Sequence, residues 1–170
     1  MSHAPSDPSR WRDRIALAAL ASAGLLVSGY LAAYQLGAVA APWDPVFGPA
    51  SSARVLHSVV SRLLPVPDAA AGAAAYAVEL ALDLVGGAER WRTHPWLVLA
   101  FSAVAVALGV AGVALTAVQV LVVRAGCTLC LCSAALSIAI AWAVVAGDEL
   151  RAALKTVSAG AGERGHARWR

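Results

Sequence analysis

Four long apolar stretches alternate with short polar segments and predict the main elements of the chain. They cover residues 15–39, 69–85, 95–123 and 127–146. A helix needs about 20 mostly apolar residues to cross a bilayer. The second stretch is shorter and rich in alanine, and the other three reach that length. The pattern predicts four membrane-spanning helices.

The first stretch has two interpretations. Basic residues precede it, and Ala38-Val39-Ala40 resembles the small-residue cleavage site of a signal peptide. Its apolar run is much longer than the roughly 7–15 residues of a signal peptide. The length favours an uncleaved first span that follows a disordered tail at residues 1–13.

The longest polar connection, residues 40–67, contains an amphipathic pattern. Over residues 51–64, apolar positions recur every three or four residues opposite a polar face. This period predicts a short helix that lies at the membrane surface or covers the bundle. Trp43 and Phe47 precede it among turn-forming prolines and are typical of residues at the membrane interface.

Composition and charge support a membrane protein. The chain is 60% hydrophobic and 14% charged, whereas soluble domains are about 45–50% apolar and about 25% charged. The fold class predicted is therefore an all-α membrane protein, a four-helix transmembrane bundle with a loop helix. The net charge of +3 is modest, and the clustering of basic residues indicates contact with lipid and no nucleic acid partner.

The basic clusters also predict orientation in a cell membrane. Arginines occur before residue 14, in the return loop 86–94 and in the basic tail 148–170. Four spans place all three on one side, which is the cytoplasm by the positive-inside rule. Both termini are then cytoplasmic, and the connection 40–67 is extracytoplasmic, where disulfides persist.

The candidate chemistry is a C-x-x-C pair, Cys127 and Cys130, at the start of the fourth span. Residues three apart share a helix face, so the two sulfurs can form a disulfide or a dithiol. The helix N-terminus and the preceding Arg124 both favour thiolate, the reactive form in disulfide exchange. The sequence predicts a redox-active pair, with two inert, buried cysteines as the alternative.

Other ligand sets are less consistent with the pattern. Cys132 is the third cysteine, about 200° around the helix from Cys130, and no nearby His or Asp completes a zinc site. Glu79 and Asp83 lie on one face of the second span. A carboxyl group in lipid is costly, so Glu79 should face the interior or be protonated, on a proton path or paired with a polar neighbour.

At this point the chain resembles the vitamin K epoxide reductase family over about residues 28–137. The resemblance rests on C-x-x-C at the outer start of the last helix and on the loop sequence Ser52-Ala53-Arg54-Val55-Leu56-His57-Ser58. It rests also on Asp68 followed by Gly72 and Tyr76. It implies a family domain at residues 14–147. It also implies a thiol–disulfide oxidoreductase whose cofactor is a quinone of the menaquinone or ubiquinone type.

The resemblance also implies roles for particular residues. Cys130 is expected to reduce the quinone, and Cys127, the more exposed sulfur, to exchange with an incoming thiol. Asp68 falls where the family has an asparagine that hydrogen-bonds a quinone carbonyl, and it is equally suited to be an N-cap. The residues expected to contact the quinone are Phe47, Ser58, Asp68 and Tyr76.

One departure from the family leaves the substrate step open. Family members have two further loop cysteines that relay electrons to the C-x-x-C pair. Here Ser52 occupies one place, and no cysteine lies near Asp44 for the other. Either a thioredoxin-like extracytoplasmic protein attacks the disulfide directly, or the chain is a non-catalytic membrane scaffold. A small transporter ranks last, because no pair of interrupted helices supports it.

Overall fold

The computed structural model describes residue 9, residues 11–59, residue 61 and residues 65–167, with side chains as far as residue 159. Every regular element in these ranges is helical. A π-helical turn, Gln119–Val123, continues α5. The helices are α1 (Trp11–Gln35), α2 (Pro49–Leu56), α3 (Asp68–Leu84), α4 (Arg90–Thr93), α5 (Pro95–Val118), α6 (Thr128–Ala146) and α7 (Asp148–Ala167).

Three helical segments are long and apolar enough to cross a membrane among the described residues. They are Trp11–Gln35, Pro95–Val123 and Thr128–Ala146. The prediction of a helical membrane protein is confirmed by these segments. The remaining predicted span corresponds to α3, which has 17 residues and includes three acidic side chains, so a fourth crossing stays a prediction.

The first span differs from its predicted bounds at both ends. The helix α1 begins at Trp11, so the end of the predicted tail is helical, while residues 1–8 and 10 lie outside the described part of the chain. It ends at Gln35 and not at residue 39, because Gly37 adopts a left-handed φ of 81°.

The loop helix is shorter than the prediction of residues 51–64. Pro49 starts α2, as suits a residue without a backbone donor, and the helix ends at Leu56. The Leu56 carbonyl accepts hydrogen bonds from Ser61 Oγ at 2.9 Å and Gln35 Nε2 at 2.9 Å. These two side-chain donors take the place of the backbone N–H that a further helical turn would have supplied. Residues 57–59 are turn-like, and residues 60 and 62–64 are outside the described part.

The segment predicted as a basic tail forms α7, which packs against α4 and α5. Asp148 and Glu149 lie in its first turn, where acidic side chains favour the helix N-terminus. Ala153 is fully buried, and Glu149 pairs with Arg90 of α4 at 2.6 Å. Periodicity alone did not predict this docking, since the residues that α7 contacts lie far from it in the chain.

The bundle is held by close contacts between α1 and α3 and between α5 and α6. Small residues permit the approach: a Cβ on Gly109 would lie 2.7 Å from the Ala141 Cβ. A second apolar cluster, centred on Leu31, Leu56 and Cys127, joins α1 and α2 to the start of α6. The cysteine pair therefore lies beneath the loop.

Candidate functional site

Cys127 and Cys130 form a disulfide at the beginning of α6, with Cα atoms 5.2 Å apart. Cys127 is the N-cap residue, and its Sγ accepts a hydrogen bond from the Cys130 backbone N–H at 3.2 Å. Because the first turn of a helix has unpaired N–H groups, this position also suits a thiolate. The predicted placement of the pair in the first helical turn agrees with the structure.

The exposure of the two sulfurs is the reverse of the prediction. Cys127 is 0% exposed, whereas Cys130 is partly exposed. The N-cap position turns Cys127 beneath the loop, where it packs with Leu31 and Leu56. The expectation that Cys127 is the accessible sulfur and Cys130 the deeper one is therefore wrong for this conformation.

Asp44 links the loop to the cysteine helix. Its carboxylate is buried and accepts hydrogen bonds from Ser52 Oγ at 2.5 Å, Thr128 Oγ1 at 2.6 Å and Thr128 N at 2.8 Å. The backbone N–H groups of Val46 and Phe47 donate at 2.9 Å and 2.8 Å. The carboxylate therefore ties the loop to the residue that follows Cys127.

The environment keeps Asp44 ionised. Burial alone raises the pKa of a carboxyl group, but the hydrogen bonds from Ser52 and Thr128 outweigh it and hold the pKa of Asp44 well below its usual range. Asp44 and Ser52, which the resemblance places at or near two expected loop cysteines, contact each other through a short hydrogen bond.

A second junction lies one residue before Cys127. Ser51 Oγ donates to the Gly126 carbonyl at 2.8 Å and accepts from its N–H at 3.0 Å. The Phe47 ring lies against Gly126 and leaves no room for a Cβ there. Sequence reasoning missed Asp44, Ser51 and Thr128 as site residues, because their partners are distant in the chain.

Asp68 and Ser58 belong to a polar cluster between the loop, α1 and α3. Asp68 Oδ1 accepts from Gln35 Nε2 at 2.6 Å and from Ser61 Oγ at 2.7 Å, and Ser58 Oγ accepts from Ser61 N at 3.3 Å. The predicted N-cap role of Asp68 is wrong by one residue. Pro67 is the N-cap, and Asp68 is the first residue of α3.

The four residues expected to contact the quinone do not line the apolar groove at Leu129, which precedes Cys130 in the chain. Tyr76 is buried in the bundle core, where its hydroxyl donates to the Ser133 carbonyl at 2.8 Å. Phe47 is half-exposed over Gly126. The groove, of about 360 Å³, is lined by a different set: Leu26, Val27, Tyr30, Trp43 and Leu129.

The third cysteine, Cys132, lies apart from this arrangement. Cys132 is a free, exposed cysteine. Within the described ranges, no three His, Cys, Asp or Glu side chains come together to hold a metal ion. The reactive group that this end of the bundle contains is the Cys127–Cys130 disulfide, a bond that thiolates can attack.

These features define a helical membrane protein with a disulfide at the covered end of its last apolar helix. The chain matches the Vitamin K epoxide reductase family over residues 15–145. It therefore belongs to that family, whose members are in general membrane oxidoreductases that use quinones. No curated protein matches the chain.

Proposed function

We propose that the protein oxidises dithiols of an extracytoplasmic, thioredoxin-like protein and transfers the electrons to a membrane quinone through Cys127 and Cys130. The observation that carries the proposal is the disulfide at the first turn of α6 in a chain of this family. The bundle is proposed to cross the membrane four times with both termini in the cytoplasm, α3 being the fourth crossing.

The first half-reaction is thiol–disulfide exchange. A partner thiolate attacks one sulfur of the Cys127–Cys130 bond, and a mixed disulfide forms as the other sulfur leaves as thiolate. The partner's second thiolate then displaces the remaining sulfur, which leaves the partner with a disulfide and both cysteines reduced. Cys130 is partly exposed in this conformation, whereas attack on Cys127 needs the loop to move. We therefore place the first attack on Cys130. The released Cys127 thiolate keeps the hydrogen bond from the Cys130 N–H.

The groove beside Leu129 fits an apolar ring. It is a shallow groove of about 360 Å³ that is open along most of its surface, and its lining is almost entirely apolar. Tyr30 is fixed there by a hydrogen bond from the Trp43 N–H to its hydroxyl at 2.9 Å. A quinone supplies two-electron redox chemistry when bound. Tyr30, Trp43 and Leu129 would contact its ring from one side.

The roles of Phe47, Ser58, Asp68 and Tyr76 as quinone contacts remain part of the proposal. Phe47 and Ser58 belong to the loop, and a rearrangement of this segment can bring them toward the disulfide. Tyr76 and Asp68 are fixed by hydrogen bonds to other helices. For those two residues, an indirect role through Ser133 or Gln35 is consistent with the contacts.

One observation favours a second candidate, a non-catalytic membrane scaffold. Asp44 and Ser52 replace the expected loop cysteines and join to each other at 2.5 Å. This hydrogen bond stabilises the loop and offers no electron relay. The chain then serves as a partner subunit with a structural disulfide.

The experiment compares three cysteine variants in proteoliposomes that contain a quinone and receive a reduced thioredoxin-fold protein. Cys127→Ser and Cys130→Ser should each reduce quinol formation to the uncatalysed rate, since each removes one half of the disulfide. Cys132→Ser, which alters a free and exposed cysteine, is the matched control and should keep full activity.

Trapping the partner distinguishes the order of attack. Each variant is given a single-cysteine thioredoxin-fold protein whose sulfur is activated as a mixed disulfide with a small leaving thiol. In Cys127→Ser the Cys130 thiol should displace that leaving thiol and form a mixed disulfide with the partner, and in Cys130→Ser little should form while the loop stays closed. Full quinol formation in both variants contradicts the enzymatic proposal. An inactive wild type that still holds its disulfide supports the scaffold.

A further inference from the structure

Three polar side chains of α3 lie in one line inside the bundle. Tyr76, Glu79 and Asp83 are each 1% exposed. Their spacings of three and four residues place them on one face of the helix, one turn apart. This line runs lengthwise through the interior. It begins in the half of the bundle near the cysteines and finishes at the end that contains the buried Arg14 and Arg90, called here the Arg-rich end.

The lower end of the line reaches charged residues and then water. Asp83 Oδ1 lies 3.5 Å from Arg90 Nη2 and 3.9 Å from Arg14 Nε. Arg90 also pairs with Glu149 of α7 at 2.6 Å, and the Glu149 side chain is 16% exposed. Asp83 is therefore connected to the solvent at the Arg-rich end through this network.

The upper end of the line continues as a chain of hydroxyl groups. Tyr76 Oη lies 2.6 Å from Ser137 Oγ and 3.5 Å from Ser133 Oγ. Ser133 Oγ in turn lies 3.1 Å from Ser28 Oγ. Because Ser133 follows Cys130 by three residues, these hydroxyls lead to the helical turn that holds Cys130.

Glu79 lies between these two groups and has no hydrogen-bond partner in the described part of the chain. Both of its carboxyl oxygens are buried and unpartnered, and so is Asp83 Oδ2. The charged groups of the neighbouring helices, Arg14, Arg90 and Glu149, surround Asp83 instead. An unpaired buried carboxylate is very costly, so Glu79 holds a proton.

We propose that Glu79 carries protons along the interior of α3, from the Arg-rich end to the quinone reduced beside Cys127 and Cys130. This inference rests on the proposed function. Purely structural packing does not account for Glu79, because an apolar side chain of similar size would fill the space without an unpartnered carboxyl group.

The electron and proton counts of the step balance. Re-forming the Cys127–Cys130 bond releases two electrons and two protons from the two thiols. Reducing one quinone to quinol consumes two electrons and two protons. When the thiol protons leave at the loop end and Glu79 supplies the others from the Arg-rich end, each turnover moves two positive charges across the membrane.

The functional test measures membrane voltage in proteoliposomes with a potential-sensitive dye, while a reduced thioredoxin-fold protein and a quinone drive turnover. The wild type should develop a voltage. Glu79→Gln should lose it and slow quinol formation at least about tenfold, with the quinone-free disulfide exchange unchanged. Glu89→Gln, an exposed position in the return loop, is the matched control.

Tyr76→Phe provides a second variant, which removes the hydroxyl group that bonds to Ser137 on the cysteine side of Glu79. It should lower the voltage in the same way. A separate readout needs no turnover: the infrared spectrum of the oxidised, quinone-free protein should contain a carboxylic acid C=O band that Glu79→Gln removes and Glu89→Gln leaves. Absence of that difference overturns the inference.

The two proposals fail differently. A wild type that reduces quinone without developing voltage contradicts the proton path and leaves the oxidoreductase intact. A wild type that reduces no quinone contradicts both, since the path then has no acceptor to supply.

Discussion

The two ends of the bundle bury charged groups in opposite ways. At the loop end, neutral donors surround the Asp44 carboxylate, namely hydroxyl and backbone N–H groups such as those of Ser52 and Thr128. At the Arg-rich end, Asp83 lies between two guanidinium groups, those of Arg14 and Arg90. Both clusters join segments distant in the chain, but only the second does so with opposite charges.

The difference follows from what each end must join. Arg14 and Arg90 donate to the last carbonyls of α3 and its continuation, including Asp83 O and Val85 O. These carbonyls carry the negative end of the helix dipole, so cations stabilise them. The loop end joins a carboxylate to the N-terminus of α6, where N–H groups satisfy a negative charge without a counterion.

The two ends also differ in the partners of their buried groups. Neutral donors fix the position of the loop. In the described part of the chain, the hydrogen bond to the disulfide comes from a backbone N–H and not from a charged side chain. The guanidinium groups of Arg90 and Arg14 lie 3.5 Å and 3.9 Å from one oxygen of Asp83, while Glu79 and the second Asp83 oxygen stay unpartnered in the described chain. The Arg-rich end therefore joins helices through ion pairs, and the buried, unpartnered carboxyl group of Glu79 lies one helical turn away.

The largest expected effect is at the Arg-rich end. Arg90→Met removes the ion pairs to Asp83 and Glu149 and leaves a buried carboxylate with fewer partners. We expect the free energy of unfolding, measured in mixed detergent micelles, to fall by about 3–5 kcal/mol.

Its control is Arg151→Met. Arg151 pairs with Asp148 at 4.0 Å on the surface, where both side chains are at least 66% exposed. Such a pair contributes about 1 kcal/mol or less. Equal, small decreases in the free energy of unfolding of the two variants would show that the buried ion-pair network does not stabilise the bundle.

A smaller effect is expected at the loop end. Asp44→Asn keeps the shape but removes the charge that accepts from Ser52 and Thr128, which should cost about 2 kcal/mol. Loosening of the loop should also speed alkylation of Cys127 in the reduced protein. Asp148→Asn, on an exposed side chain, should cost about 1 kcal/mol or less and leave the alkylation rate of Cys127 unchanged. If Cys127 reacts no faster in Asp44→Asn, Asp44 does not hold the loop closed.

The pH dependence of that difference has a definite sign. The folded-state pKa of Asp44 is below its usual range, so its contribution to stability is complete above the unfolded pKa of about 3.9. The contribution is lost only as pH falls further, toward the folded pKa. The stability difference between the wild type and Asp44→Asn should therefore be constant near neutral pH and shrink in acid.

The smallest effect is expected from Ser52→Ala. It removes one of the donors to Asp44 while the Thr128 and backbone donors remain, so we expect a loss of about 1 kcal/mol in the same unfolding assay. Ser158→Ala, an exposed serine bonded within its own helix, is the control. A loss larger than that of Asp44→Asn contradicts the view that Asp44 is the centre of the cluster.

The sequence by itself determined the local features of this protein. Hydropathy located three of the spanning helices, because burial in lipid depends on the apolar length of a single segment. The C-x-x-C spacing placed Cys127 and Cys130 on one turn, since residues three apart share a helix face. The family resemblance, based on short motifs, is confirmed by the match over residues 15–145.

Only the tertiary structure decided which groups are covered and which meet. Asp44 reaches Thr128 across 84 residues, and Arg90 reaches Glu149 across 59. No pattern of period two or 3.6 encodes such pairs. The same holds for the burial of Cys127 beneath Leu56 and for the docking of α7. These features depend on how helices pack against each other, and that geometry is a property of the whole fold.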